Sequence, residues 1–123
     1  MPVSIETRPE LDLTIFTVTE AATYSELMPV LESFYSEAPT GNVIWDGTRI
    51  TEIPLSSREL QTIVQFAHKH SNKRPAGNTA LIVNSSLNYG MARMASTFAE
   101  LDAMPRNIEI FKNLNEALKW IKQ

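Results

Sequence analysis

The stretch from Thr79 to Leu101 limits the possible folds of this chain more than any other. An uninterrupted apolar run, Ala80-Leu81-Ile82-Val83, meets a small polar turn and passes directly into helical spacing at Met91, Met94, Ala95, Phe98 and Leu101. A run that is apolar at successive positions suits a strand covered on both faces, and a helix directly after it marks a parallel α/β unit. Asn84, Ser85, Ser86 and Asn88 fall where the carboxyl end of that strand meets the amino end of the helix. In such folds a ligand or phosphate is usually bound there.

The rest of the chain extends the alternation. Val3 to Thr7 and Leu11 to Val18 read as two strands of a hairpin, separated by Arg8-Pro9-Glu10, with Leu11, Leu13 and Ile15 on one face and Phe16 and Val18 on the other. Thr23 and Glu26 form a capping box ahead of Leu27, Leu31, Phe34 and Tyr35. Pro29 inside that helix predicts a kink or a loose first turn. Val43-Ile44-Trp45 is a third strand, with Asp46-Gly47-Thr48 as a turn after it. Ser56 and Glu59 form a second capping box before a helix with Leu60, Ile63, Val64 and Ala67 inward. Pro105 and Arg106 break the helix begun at Asn88, Ile108 to Phe111 favours a strand, and Asn113 with Glu116 caps a last helix presenting Leu114, Ala117, Leu118 and Ile121. Right-handed crossovers make the third, fourth and fifth strands parallel. The expected architecture is α/β: a mixed, mostly parallel five-stranded sheet with about four helices and an N-terminal β-hairpin.

At 123 residues and 43% hydrophobic content, one domain over residues 1–123 is expected. Eleven Lys and Arg against fourteen Asp and Glu give a formal charge of -3 with the signs interspersed. That argues against nucleic acid, which needs a basic cluster. The nearest approach to one, His68 to Arg74, reads as a solvated helix end and loop. With no cysteine, disulfides, thiolate nucleophiles and sulfur-ligated metals are excluded. No signal stretch or transmembrane-length run is present, so cytoplasmic residence without membrane insertion is the expectation.

The order β, β, α, β, α, β, α, β, α resembles the STAS superfamily, the fold of bacterial anti-sigma-factor antagonists, and more closely its SpoIIAA-like group of small bacterial proteins. Thr79-Ala80-Leu81-Ile82-Val83 with Tyr89-Gly90-Met91-Ala92-Arg93-Met94 looks like that group's central strand and following helix, and Ile108 to Ile121 like its final strand and helix. In the antagonists a serine at the start of the helix after the third strand is phosphorylated by a partner kinase, within a motif of aspartate, two serines and a glycine. Here the matching residues are Leu55-Ser56-Ser57-Arg58, so the resemblance makes Ser57 the candidate phosphorylation site. Leu55 replaces the aspartate and Arg58 the glycine. Helix capping by Ser56 accounts for one serine without any function. A phosphate on Ser57 would meet exposed helix-terminal donors and the Arg58 charge.

No catalytic or cofactor motif is present, and neither an enzyme activity, a cofactor nor a metal is expected. His68 and His70, at i and i+2, point in different directions on a helix, unlike a metal-binding pair, and read as a last-turn cap or solvent-facing residues. Asp46 has no paired carboxylate or phosphate loop beside it. Tyr89, Gly90, Met91, Arg93 and Met94 admit two readings. In the structural one, Met91 and Met94 pack inward, Gly90 allows close approach to the sheet, and Arg93 is solvated. In the functional one, adaptable methionines and Tyr89 line a pocket with Ser85 and Asn88 for a small anionic, amphipathic or lipid-like ligand. The expected function is a non-enzymatic binding module that docks to another protein, with Ser56, Arg58, Ser85, Asn88, Tyr89, Met91 and Arg93 as candidate contacts on one edge. Self-association as a homodimer through the Met-bearing helix is the parallel expectation. An apolar pocket beside Met91 would favour ligand carriage, and a closed core with exposed Ser57 would favour docking.

Overall fold

The computed structural model describes residues 3–101 and 107–123. Five strands form one sheet in sequence order: β1 (Val3–Arg8), β2 (Leu13–Glu20), β3 (Asn42–Ile50), β4 (Thr79–Ile82) and β5 (Ile108–Phe111). β1 pairs antiparallel with β2, from Val3 opposite Val18 to Arg8 opposite Leu13, and the other pairings are parallel. A 3-10 turn, Pro9–Leu11, joins the hairpin, so β2 begins two residues later than Leu11. Four helices follow the strands: α1 (Tyr24–Ser36), α2 (Ser57–Lys69), α3 (Ser86–Leu101) and α4 (Leu114–Ile121). The expected break at Pro105 and Arg106 and the side chain of Leu101 lie outside the described residues.

Alternation along β2 sorts its side chains to two cores. Leu13 and Ile15 join Ile44, Ala80 and Ile82 beneath α4, which contributes Ala117 and Ile121. Phe16 and Val18 join Val43 on the other face, under Leu27 of α1 and beside Ile63 of α2. There Phe16 stacks on its cross-strand neighbour Trp45, with ring centroids 4.3 Å apart, and meets the Phe34 ring edge-on at 5.4 Å. Successive right-handed crossovers in one direction put α1, α2 and α3 on that same face.

Three sequence expectations change at the level of elements. α1 runs unbroken through Pro29, because the carbonyl that the proline leaves unbonded belongs to Ser25, on the exposed side of the helix where water can serve it. Asp46-Gly47-Thr48 does not end the third strand. Thr17 pairs with Asp46 and Thr19 with Arg49, so β3 carries one extra residue as a bulge. Asp46 Oδ1 accepts from Thr48 N at 3.0 Å and from Thr48 Oγ1 at 2.7 Å, a local Asx turn held inside the strand. The third change is at Arg74, which is buried rather than solvated.

Arg74 lies at the amino ends of the parallel strands, where the 39–42 and 75–78 loops touch. Its Nε donates to Thr40 O at 3.1 Å, Nη2 to Gly41 O at 2.7 Å, and Nη1 to Thr79 Oγ1 at 3.3 Å. Asp12 Oδ2 receives Gly41 N at 2.9 Å, and Asn42 Oδ1 receives Asn78 N at 2.9 Å. Gly41 and Gly77 permit this approach. A Cβ on Gly41 would run into the Ala76 carbonyl, and one on Gly77 into that of Gly41.

Candidate functional site

Three helix entrances are built as their sequences direct. At α2, Ser56 Oγ accepts from Glu59 N at 3.0 Å and Glu59 Oε1 accepts from Ser56 N at 2.9 Å, a complete capping box. At α3, Ser85 Oγ accepts from Asn88 N at 3.2 Å, which makes Ser85 the cap of that helix. At α4, Asn113 Oδ1 accepts from Glu116 N at 2.9 Å. Because β3 and β4 are adjacent and parallel, the α2 and α3 entrances open on the same, carboxyl edge of the sheet. Side chains tie that edge together: Asn84 Nδ2 donates to Thr48 O at 3.1 Å and Asn88 Nδ2 to Gly47 O at 3.2 Å, both on the β3 bulge.

On this edge Ser56, Ser57, Arg58, Ser85, Tyr89 and Arg93 are exposed, Met91 is half-buried and Asn88 is buried at 4% exposure. Two parts of the structural reading of α3 are corrected. Met94 is 36% exposed and does not pack inward, and a Cβ on Gly90 would meet nothing within 4 Å, so Gly90 serves no close approach. The buried stripe of α3 is Asn88, Ala92 and Ala99, with Met91 and Ala95 half-buried beside it. The helix turns its small residues to the sheet and leaves Tyr89 and Met94 outside.

Between that small-residue stripe and the sheet lies a cavity of about 250 Å³. Phe16, Val43, Trp45 and Leu81 form its floor. Leu31 of α1, Leu60, Ile63 and Val64 of α2, and Met91 and Ala95 of α3 form its roof. It reaches from Arg74 and Thr79 at the amino ends of the strands to Gly47 and Asn88 at their carboxyl ends. Among the described residues of the lining, Glu52 alone is exposed, beside Ile53 and Leu55 on the segment joining β3 to α2. The lining is almost wholly apolar. Of the residues singled out in the sequence as site candidates, Asn88 and Met91 border this cavity, whereas Ser56, Ser57, Arg58, Ser85, Tyr89 and Arg93 do not.

The histidines have another role. His70 caps the carboxyl end of α2, and its ring lies 4.5 Å from Phe66 and 5.9 Å from Tyr35 by centroid. Desolvation lowers its pKa below the ordinary value, helped by Lys73 and then Lys69. His68 is half-buried rather than solvent-facing, and its Nδ1 is the one buried side-chain polar atom without a partner among the described residues. Among those residues, no group of three His, Cys, Asp or Glu side chains is arranged to hold a metal, and no helix is long and apolar enough to cross a membrane.

The sequence reading missed Phe16, Trp45 and Leu81 as lining residues. Their alternation marks them as buried, but no sequence period distinguishes a filled core from a hollow one. The one available signal was the small side chains at Ala92 and Ala95, both of which border the cavity.

Comparison with solved structures identifies the fold. The chain superposes on a DUF3478-family protein with a SpoIIAA-like fold from Shewanella loihica PV-4, with a TM-score of 0.61 and 22% identity over 97% of this chain and 91% of that one. It also superposes on an anti-sigma factor antagonist from Mycobacterium paratuberculosis, with a TM-score of 0.57 and 12% identity over 98% and 93% of the two chains. At these identities the likeness shows a shared SpoIIAA-like, STAS-like fold and nothing finer. No family model matches the sequence, and no curated protein does.

Proposed function

We propose that this chain is a non-enzymatic binding module whose ligand is a small, mostly apolar molecule held between the sheet and α1 to α3. The observation that carries this reading is the cavity of about 250 Å³ and its apolar lining. A resident ligand would supply the burial and dispersion contacts that the apolar lining lacks. Among the described lining residues no nucleophile and base are paired, and the proposed role is holding the ligand rather than transforming it.

Native mass spectrometry of freshly purified protein tests the proposal. A population heavier than the polypeptide by one small molecule, lost after extraction with organic solvent, is the expected result. Protein at polypeptide mass alone, with unchanged stability after extraction, would refute it.

A second reading is docking to a protein partner at the carboxyl edge, as the antagonist resemblance implies. It is favoured by the exposure of Tyr89 at 50% and Met94 at 36%, with Arg93 and Arg58 also exposed. Ser57, exposed in the first turn of α2, is the residue that a kinase would modify in this reading. The same spectra report it: phosphate on the native protein that disappears in Ser57→Ala supports regulation at this site, and phosphate that persists excludes it. A dimer population abolished by Met94→Glu would identify the partner as a second copy.

A further inference from the structure

We infer that β1 is a self-recognition edge: two copies of this chain pair antiparallel through β1, with Ile5 facing its own counterpart on the two-fold axis. This goes beyond the cavity reading and does not depend on it. β1 stands at one end of the sheet order and pairs only with β2, so among the described residues no strand bonds the backbone groups on its outer side. Its register with β2 is unbroken from Val3 to Arg8, without a bulge, and the strand contains neither proline nor lysine. Those are devices that ordinarily keep one sheet edge from meeting another.

The side chains point the same way. Ile5 lies opposite Phe16 of β2 and so belongs to the face under α1 to α3, where Phe16 is buried, yet Ile5 is 58% exposed. It is the most exposed large apolar side chain among the described residues. The two charges of β1 cancel, because Arg8 Nε donates to Glu6 Oε2 at 2.6 Å. A chain with a formal charge of -3 therefore presents a neutral edge to its own copy.

Strand length and charge choose the register. A two-fold axis through an antiparallel pair sets one residue against itself. Centring on Ser4 or Thr7 overlaps only residues 3–5 or 6–8 of β1, whereas centring on Ile5 or Glu6 overlaps 3–7 or 4–8. The Glu6 register opposes two carboxylates, which destabilises a cross-strand pair. The Ile5 register sets Ile5 against Ile5, Val3 against Thr7 and Ser4 against Glu6, and it covers the exposed apolar side chain. Pairing β1 with β5 of a second copy would leave a free edge at each end and propagate, whereas β1 on β1 closes as a dimer.

Sedimentation velocity across the micromolar range, with a cross-linking series, tests the inference. The wild type is expected to pass from monomer to dimer as concentration rises, and Ile5→Lys to remain monomeric with an unchanged circular dichroism spectrum. Met94→Glu, on α3 towards the β5 side of the sheet, is expected to dimerise like the wild type. The chain has no cysteine, so a single introduced thiol reports the register alone. Under oxidised glutathione Ile5→Cys is expected to form a covalent dimer, since opposite Cα atoms of an antiparallel pair lie about 4.5–5.5 Å apart, within disulfide reach. Thr7→Cys is expected to stay uncrosslinked, because Thr7 opposes Val3 in this register and the two Thr7 positions lie about 14 Å apart along the strand. A wild type that is monomeric at every concentration, a dimer that persists in Ile5→Lys, or a dimer lost in Met94→Glu would overturn the inference. Cross-linking of Thr7→Cys in preference to Ile5→Cys would overturn the register, and growth beyond the dimer would overturn closure through β1.

Discussion

Arg74 shows how a single residue can escape a sequence reading. Its neighbours His68, His70, Lys69 and Lys73 make a basic cluster in the sequence, yet Arg74 itself is 9% exposed and joins two loops more than thirty residues apart through Thr40 O and Gly41 O. Local charge pattern carries no information about carbonyls that distant. Replacing it by methionine keeps the aliphatic bulk and removes the donors, leaving buried carbonyls unsatisfied. Arg74→Met is expected to lower unfolding free energy by roughly 3 kcal/mol in urea titration. His70 makes a separate prediction. Its folded pKa lies below its unfolded value, for reasons of desolvation first and then Lys73 and Lys69. As pH falls through the unfolded value the unfolded chain takes the proton first, so stability declines until the lowered folded pKa is passed. Urea midpoints at pH 7.5 and 5.5 should therefore differ more for the wild type than for His70→Gln. An equal difference would remove His70 from the account.

At the scale of elements, what was legible was whatever the chain encodes within four residues. The Ser56–Glu59 box and the Asn113 cap appear as their spacing predicts because capping is satisfied locally. Ser56→Ala should accordingly cost about 1 kcal/mol in chemical denaturation, whereas Ser57→Ala, exposed in the first turn, should change stability by less than about 0.5 kcal/mol. A reversed order of these two effects would contradict the capping assignment. The bulge in β3 was legible only in part. Asp46-Gly47-Thr48 does form its Asx turn, but pairing with β2 on one side and β4 on the other keeps the strand going through it. The orientation of α3 was legible only in part, because periodicity places Met94 inward with Met91, Ala95 and Phe98, whereas Met94 is exposed and the other three are half-buried. The helix sets Ala92 and Ala99 inward, against α2 and β5.

At the scale of the whole molecule, the sheet and its two helical layers follow from strand and helix alternation and crossover handedness. The cavity does not, since hollowness is a property of how far four elements stand apart. On the proposal above, a held ligand rather than a docking surface is the primary role of the cavity face. The most direct test is the sign of one stability change. Ala95 borders the cavity from α3, and Ala95→Leu adds three carbon atoms there. In extracted, ligand-free protein the variant should be more stable than the wild type by about 2 kcal/mol in urea unfolding, at roughly 0.8 kcal/mol per buried carbon. If the face under α1 to α3 were a filled core, the same substitution would overpack it, and a loss of about 1–3 kcal/mol would contradict the account.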